Sequence, residues 1–340
     1  MLNEGARLYR SVHSDDNLTE AWHKVRTKNS ETAGVDGVSL AQFQRYLFQK
    51  LKSIQHDLQK RRYRPQPAKL TYIAKGSEAK RPIGILTIRD RIVQRAVLNV
   101  LEPLLEDEFD NCSYGFRPGR SVQMALEHIS RLVNQGHIWA VKLDIVQCFE
   151  SINLCRLQRV IARRIKDRSL RKLIHSWLIL TPVQRDHTGA SRQGEIKRLL
   201  QGSPLSPLLA NIYLDQFDKL ARRKRQNIVR YADDIIILCR THAEAKKALR
   251  QAKRILASLD LALNSHKTHI LHVEEGLSFL GATLEFQAGE DGSSGWIPVF
   301  PEIIEEPELD ETTETHFVSE DLEALLEEVN KHPNGHPVRR

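Results

Sequence analysis

With 340 residues, 41% of them hydrophobic, the chain is long enough for one large or two ordinary domains around a packed core. No apolar run reaches the roughly 20 residues that cross a bilayer, which excludes a helical membrane protein. The net charge of +8 is unevenly spread: residues 301–340 hold twelve Asp/Glu against three Lys/Arg, so residues 1–300 carry 48 basic against 31 acidic residues. A body this basic favours a polyanionic partner, most simply nucleic acid. The four cysteines, Cys112, Cys148, Cys155 and Cys239, form no CxxC pair. With no signal peptide at MLNEGARLYR, they are expected to be reduced thiols of a soluble cytoplasmic protein without structural zinc.

Taken in chain order, residues 18–62 are helical by apolar spacing, interrupted at AGVDGVS. KLTYIAK alternates as a strand does, and KGSEAKRPIGIL adds a basic turn and a second apolar stretch, so a hairpin with a cationic tip is expected. Residues 90–108 carry apolar side chains at helical spacing despite Pro103, and that stripe is expected to be core. SYGFRPGRS (113–121) is a loop, 122–134 a helix, and WAVKLDIVQCF an apolar strand broken by Lys142 and Asp144. An acid inside such a strand needs a reason, because an unpaired buried carboxylate is costly.

Basic helical sequence follows at 154–180, then a polar hairpin-like stretch at 181–199, and QGSPLSPLLANIYLDQFDKLARR as a turn opening a long helix. RYADDIIIL (230–238) reads as strand, turn and strand; a helix is expected at about 242–260, and LNSHKTHILHV and LSFLGATLEF are expected to close the pattern as strands. From about 286 the composition turns flexible and then acidic, so residues 286–340 are expected to be a partly disordered tail with a short helix at 319–330.

The adjacent Asp233 and Asp234 have two readings. Asp is an ordinary residue at a hairpin tip. Two neighbouring carboxylates also repel unless a cation neutralises them. Asp144, 89 residues before Asp233, supplies a third acid. Three carboxylates on neighbouring strands suit a pair of Mg²⁺ ions about 3.5–4 Å apart, which activate an attacking hydroxyl and stabilise a leaving phosphate oxygen.

The ordered set GVDGVSLAQF, KRPIGILTIRDRIVQRAVLNVLEP, SYGFRPGRS, VKLDIVQCFESI, LLQGSPLSPLLANIYLDQFD, RYADDIIIL, LALNSHKTHIL and LSFLGATL resembles the group II intron-like reverse transcriptases of bacteria, over roughly residues 25–285. The resemblance implies an α+β right-hand polymerase fold with fingers, an antiparallel palm sheet and a reduced or absent thumb. It divides the chain into an N-terminal extension and fingers (1–80), a catalytic core (81–285) and the tail (286–340). It implies an RNA-directed DNA polymerase acting on an RNA template, a primer and dNTPs with two Mg²⁺ ions, for which Mn²⁺ could substitute. Asp144, Asp233 and Asp234 match the metal-binding triad, with the Ile145 carbonyl a further ligand. Phe149 matches the bulky residue under the sugar of the incoming nucleotide, where a ring would crowd a 2′-hydroxyl; the alternative is a core Phe. Lys75 and Arg81 match the fingers residues that grip the triphosphate, and Gln201 and Gly202 the turn lying against the nucleotide. Arg117 and Arg120 suit template phosphates, or else a helix cap or an acid partner.

Intron-encoded members continue past FLG into a basic thumb, whereas here the 55 residues after 285 are largely acidic. A protein partner supplying thumb or integrase function is therefore expected. LLQG, where many intron proteins have PQG, is similar to reverse transcriptases associated with CRISPR adaptation, so spacer acquisition from RNA stands beside an intron-type element as the context. The same metal site also serves a template-independent or RNA-synthesising polymerase in phage defence, and a non-catalytic RNA-binding scaffold could keep the fold.

Overall fold

The computed structural model describes residues 7–27, 32–75, 79–185, 191–193, 199–288 and 294–300. Helix α1 (Arg7–Val12) leads into α2 (Asp15–Thr27), whose Asp15 and Asp16 sit at the positive end of the helix dipole and whose Leu18, Ala21, Trp22 and Val25 form one buried stripe. α3 (Leu40–Gln44) starts in a capping box between Ser39 and Gln42, and α4 (Leu47–Gln59) follows. Trp22 stacks on Phe43 with ring centroids 5.3 Å apart, which fixes these helices as one layer.

Strands β1 (Lys69–Lys75) and β2 (Ala79–Ile85) form the expected antiparallel hairpin. α5 (Ile88–Leu105), capped by Thr87, runs through Pro103 into a short 3-10 turn, and α6 (Val122–Asn134) follows the SYGFRPGRS loop. Next come β3 (Trp139–Leu143), α7 (Cys148–Ser151), α8 (Leu154–Arg164) and α9 (Arg168–Leu178). β4 (Val183–Arg185) and β5 (Ser191–Gln193) extend the hairpin into a sheet of order β2-β1-β4-β5. α10 (Ser206–Arg223), β6 (Asn227–Tyr231), β7 (Asp234–Cys239), α11 (His242–Ser258) and β8 (His269–His272) complete the central part.

The central sheet has the order β6-β7-β3-β8, and every pairing in it is antiparallel. Its alternation explains the uninterrupted apolar run of β7. Ile235 and Ile237 join the larger core with α10 and α11, while Ile236 and Leu238 join a second core with Ala125, Leu126 and Ile129 of α6. The Lys142 ammonium of β3 donates to the Ser278 carbonyl at 3.1 Å.

Three expectations change. Asp144 stands one residue past β3 rather than inside it and is only half-buried, so it is not a buried mid-strand acid. Only residues 269–272 of LNSHKTHILHV form a strand. The folded part also extends beyond 285: β9 (Ser278–Phe279), β10 (Ala282–Ala288) and β11 (Ser294–Val299) make a third sheet, and the Ser130 hydroxyl and Asn134 amide of α6 both bond the Trp296 carbonyl. GWIPV has a strand's composition but follows a Gly/Ser-rich stretch that masked it. The compact unit accordingly runs to Val299, and the helix expected at 319–330 lies outside the described residues.

Candidate active site

β6 and β7 meet in a two-residue turn, Ala232 and Asp233, closed by the pair Tyr231 and Asp234. Ala232 has φ 56°, a left-handed conformation that the tight turn requires and that alanine adopts at a cost. The Arg230 guanidinium holds the turn by donating to the Ala232 carbonyl at 2.9 Å, and Gly115 backs it so closely that a Cβ there would lie 2.4 Å from the Ala232 nitrogen. Arg230 is fully buried and forks onto the equally buried Asp218 of α10, with its shortest contact at 2.6 Å. Burial works against the guanidinium charge, and the Asp218 carboxylate outweighs that effect, raising the Arg230 pKa. Asn211 of α10 accepts from Arg230 and donates to the Gly115 carbonyl, both at 2.8 Å, so one helix braces the turn and the SYGF loop together.

The register brings the predicted acids to one end of the central sheet. Leu143 faces Ile235, so the next step along β3 and β7 sets Asp144 opposite Asp234, with Asp233 in the turn beside them. Asp144 and Asp233 are half-buried and Asp234 is exposed. The chain beyond Asp144 is tied down by bonds from the Asn264 N–H to the Asp144 carbonyl (2.8 Å) and from the Val146 N–H to the Ala262 carbonyl (2.9 Å). The Ile145 carbonyl takes no part in that pairing. The donor set, three carboxylates and a backbone carbonyl, is the hard-oxygen chemistry that Mg²⁺ prefers. The strand ends meet, but among the described residues no three acidic, His or Cys side chains converge into a ready cage. That is compatible with an ion that takes only one or two carboxylates and draws its remaining ligands from water and substrate phosphates.

A cavity of about 860 Å³ opens beside this sheet end, with Phe149, Gln201, Gly202, Arg120, Phe116 and Tyr231 in its wall. Phe149 is 8% exposed and reaches it from α7, a single turn entered through Gln147 at φ 43°. Gly202 has φ +93°, and a Cβ there would lie 2.7 Å from Ile83 Cγ2 and 2.8 Å from the Gly84 oxygen, so glycine is what lets the turn close against β2. The Gly84 N–H donates to the Gln201 carbonyl at 2.8 Å, and the Gln201 amide donates to Glu150 at 3.0 Å. These two bonds join the base of the hairpin, the QG turn and α7. A second cavity of about 140 Å³ lies between Tyr72, Pro82, Glu150 and Gln201. Lys75 and Arg81 belong to that hairpin, paired in register with Ala79 and Ile73. Their side chains lie outside the described residues.

Arg117 is a correction. Its Nε–H goes to the Glu106 carboxylate, its Nη1 to the Asp110 and Ser113 carbonyls, and its Nη2 to the Glu106 carbonyl and carboxylate. All five donors are used inside the fold, leaving none for a template phosphate. Arg120 keeps its place on the cavity, bonded to Asn111 at 2.8 Å and lying over the Tyr114 ring. Sequence reasoning missed Arg91, Arg95 and Glu102, which line the cavity from α5. Their signal was present as charges at helical spacing on an otherwise apolar helix.

Comparisons with known proteins bear on the family and the fold. The family model described as reverse transcriptase (RNA-dependent DNA polymerase) matches residues 73–284. Protein YkfC of Escherichia coli is 30% identical over 87% of this chain and 87% of its own length. The group II intron-encoded protein LtrA of Lactococcus lactis is 33% identical over 73% of this chain, which spans only 41% of LtrA. Among solved structures, apo telomerase from Candida tropicalis superposes with a TM-score of 0.50 at 16% identity, covering 64% of this chain and 54% of that one, and supports the right-hand fold. No helix among the described residues is long and apolar enough to cross a membrane. The chain belongs to the reverse transcriptase (RNA-dependent DNA polymerase) family of nucleotidyltransferases, in its group II intron-like class.

Proposed function

We propose that the chain extends a primer 3′-hydroxyl with deoxynucleotides on an RNA template, at the sheet end where Asp144 faces Asp234. The observation that carries this reading is the register of β3 against β7, which sets Asp144 opposite Asp234, 90 residues later in sequence, beside a cavity walled by Phe149 and the QG turn. Asp144, Asp233 and Asp234, with the Ile145 carbonyl, are the groups that would hold two divalent cations. Such cations, when bound, lower the pKa of the primer hydroxyl and neutralise charge on the leaving pyrophosphate.

The chain's own residues then have defined tasks. Phe149 stands under the sugar and excludes a 2′-hydroxyl by its bulk. The Gly202 turn brings backbone against the nucleotide, and Gln201 holds α7 through Glu150. Lys75 and Arg81, on the hairpin that the Gly84–Gln201 bond fixes at its base, neutralise the triphosphate. Arg120 gives the cavity a charge that can follow a nucleic-acid backbone, whereas Arg95 is paired with Glu102 at 3.5 Å. Catalysis under this scheme is largely positioning and charge neutralisation.

The intron-encoded relatives favour an intron-type element as the context, while spacer acquisition in CRISPR adaptation has the LLQG segment in its favour. Primer extension on an RNA template with dNTPs and Mg²⁺ tests the activity. Native protein should extend the primer and the Asp233→Asn/Asp234→Asn variant should not. Equal extension by both would remove the reaction from this sheet end, and incorporation without a template would move the chain to the template-independent class.

A further inference from the structure

Phe116 is left without a use by the reading above, and its setting is unfavourable in two ways. Its side chain is 55% exposed although Ser113, Tyr114, Gly115 and Arg117 around it are buried. Its backbone has φ 55°, a region where a bulky L-residue is strained and glycine is not. A glycine at 116 would relieve both penalties. Strain of this kind, held in place by its surroundings, clusters at functional sites. The surroundings here are explicit, since Gly115 is pinned between Asn211 and the Ala232 turn, and Arg117 is locked by its five donors.

The location of the ring is equally specific. It borders the 860 Å³ cavity together with Phe149 and Tyr231, and a crevice too tight for a water molecule separates it from Pro207 and Asp233. Its centroid lies 6.5 Å from that of Tyr231, with the two rings tilted by 44°, so together they form an aromatic floor beside the turn that carries Asp233. Basic side chains cannot supply what such a floor supplies. Phosphates repeat along a duplex, so a cationic groove binds it at any axial position. An aromatic surface covered by a terminal base pair favours the end, and it does so without regard to sequence.

We propose that Phe116, with Tyr231, seats the terminal base pair of the template–primer duplex and so positions the primer 3′ end at Asp233. The proposal rests on the polymerase reading for the identity of the ligand and does not depend on turnover. Phe116 is thus a positioning residue. The conformation that makes the ring costly is what aims it into the cleft.

The test compares native protein, Phe116→Gly and Phe116→Tyr in equilibrium binding to an RNA–DNA primer–template carrying 2-aminopurine at the primer terminus or several pairs inward, with chelator present so that no extension occurs. Native protein and Phe116→Tyr should change the terminal probe's fluorescence. Phe116→Gly should bind about tenfold more weakly and lose the terminal signal, while the inward probe behaves alike in all three. Thermal unfolding should find Phe116→Gly at least as stable as native, since glycine suits the left-handed backbone. Native affinity and a native terminal signal in Phe116→Gly would overturn the proposal, and so would a lowered melting temperature, which would make the ring a structural one. A native chain that leaves the terminal probe unchanged overturns it as well. A chain that seats the terminus through Phe116 yet extends nothing would instead refute the polymerase reading and leave this one standing.

Discussion

Two phenylalanines face the same cavity from different elements, and their burial separates their roles. Phe149 is 8% exposed, wedged by α7 with only part of its ring at the wall, which suits exclusion by bulk. Phe149→Ala should therefore raise the ratio of ribonucleotide to deoxynucleotide kcat/KM by at least about tenfold, within the range one removed steric contact is worth. An unchanged ratio in steady-state incorporation would reduce Phe149 to core packing. The arginines teach the opposite lesson. Arg117 and Arg230 sit in motifs rich in polar residues, yet both are buried, and their donors are spent on Glu106, Asp218 and backbone carbonyls. A charge in a sequence does not declare whether its donors point to a ligand or are consumed by the fold. All four cysteines are free thiols, and burial pushes the Cys239 thiol up to about 11.

At the scale of elements, the site is made by what the turns allow. Left-handed residues recur around the cavity, at Phe116, Gln147, Ala232 and Gly202, whereas Arg61, Arg225 and Asp260 use the same conformation just past helix ends. Gly202 is the most constrained of the first group. In Gly202→Ala the added methyl would have to displace Ile83 or the Gly84 carbonyl, which should cost about 1–3 kcal/mol and raise the dNTP KM as the hairpin base shifts. Urea unfolding and steady-state extension measure the two effects, and a variant with native stability and KM would show that the turn adapts freely. Most elements were legible because their periodicities are strong, as in α5, α6 and α11. Asp144 has a strand's sequence context because apolar residues continue on both sides of it, although the continuous ladder ends at Leu143 and only an isolated bridge at Ile145 follows. β11 has a strand's composition hidden behind a Gly/Ser-rich stretch, and its pairing with β10 is what reveals it.

For the whole molecule, the charge is the feature with a measurable consequence. Residues 1–300 carry 48 basic against 31 acidic side chains, and recognition of a duplex by its backbone releases counterions. Affinity for an RNA–DNA duplex should fall about a thousandfold between 50 and 200 mM salt if six or more phosphates are contacted. A shallow salt dependence in equilibrium titrations would mean that apolar contacts such as Phe116 dominate. The sequence by itself determined the family pattern and the basic body, because these depend on residue type and order along the chain. Only the tertiary structure decided which charges are available, where the strands end, that β11 belongs to the fold, and that Phe116 shares a cavity with Phe149 and Tyr231. Those outcomes depend on pairings between residues far apart in the chain, as when the β3–β7 register sets Asp144 opposite Asp234. Such pairings are fixed by the joint burial of two faces of one sheet rather than by any local signal.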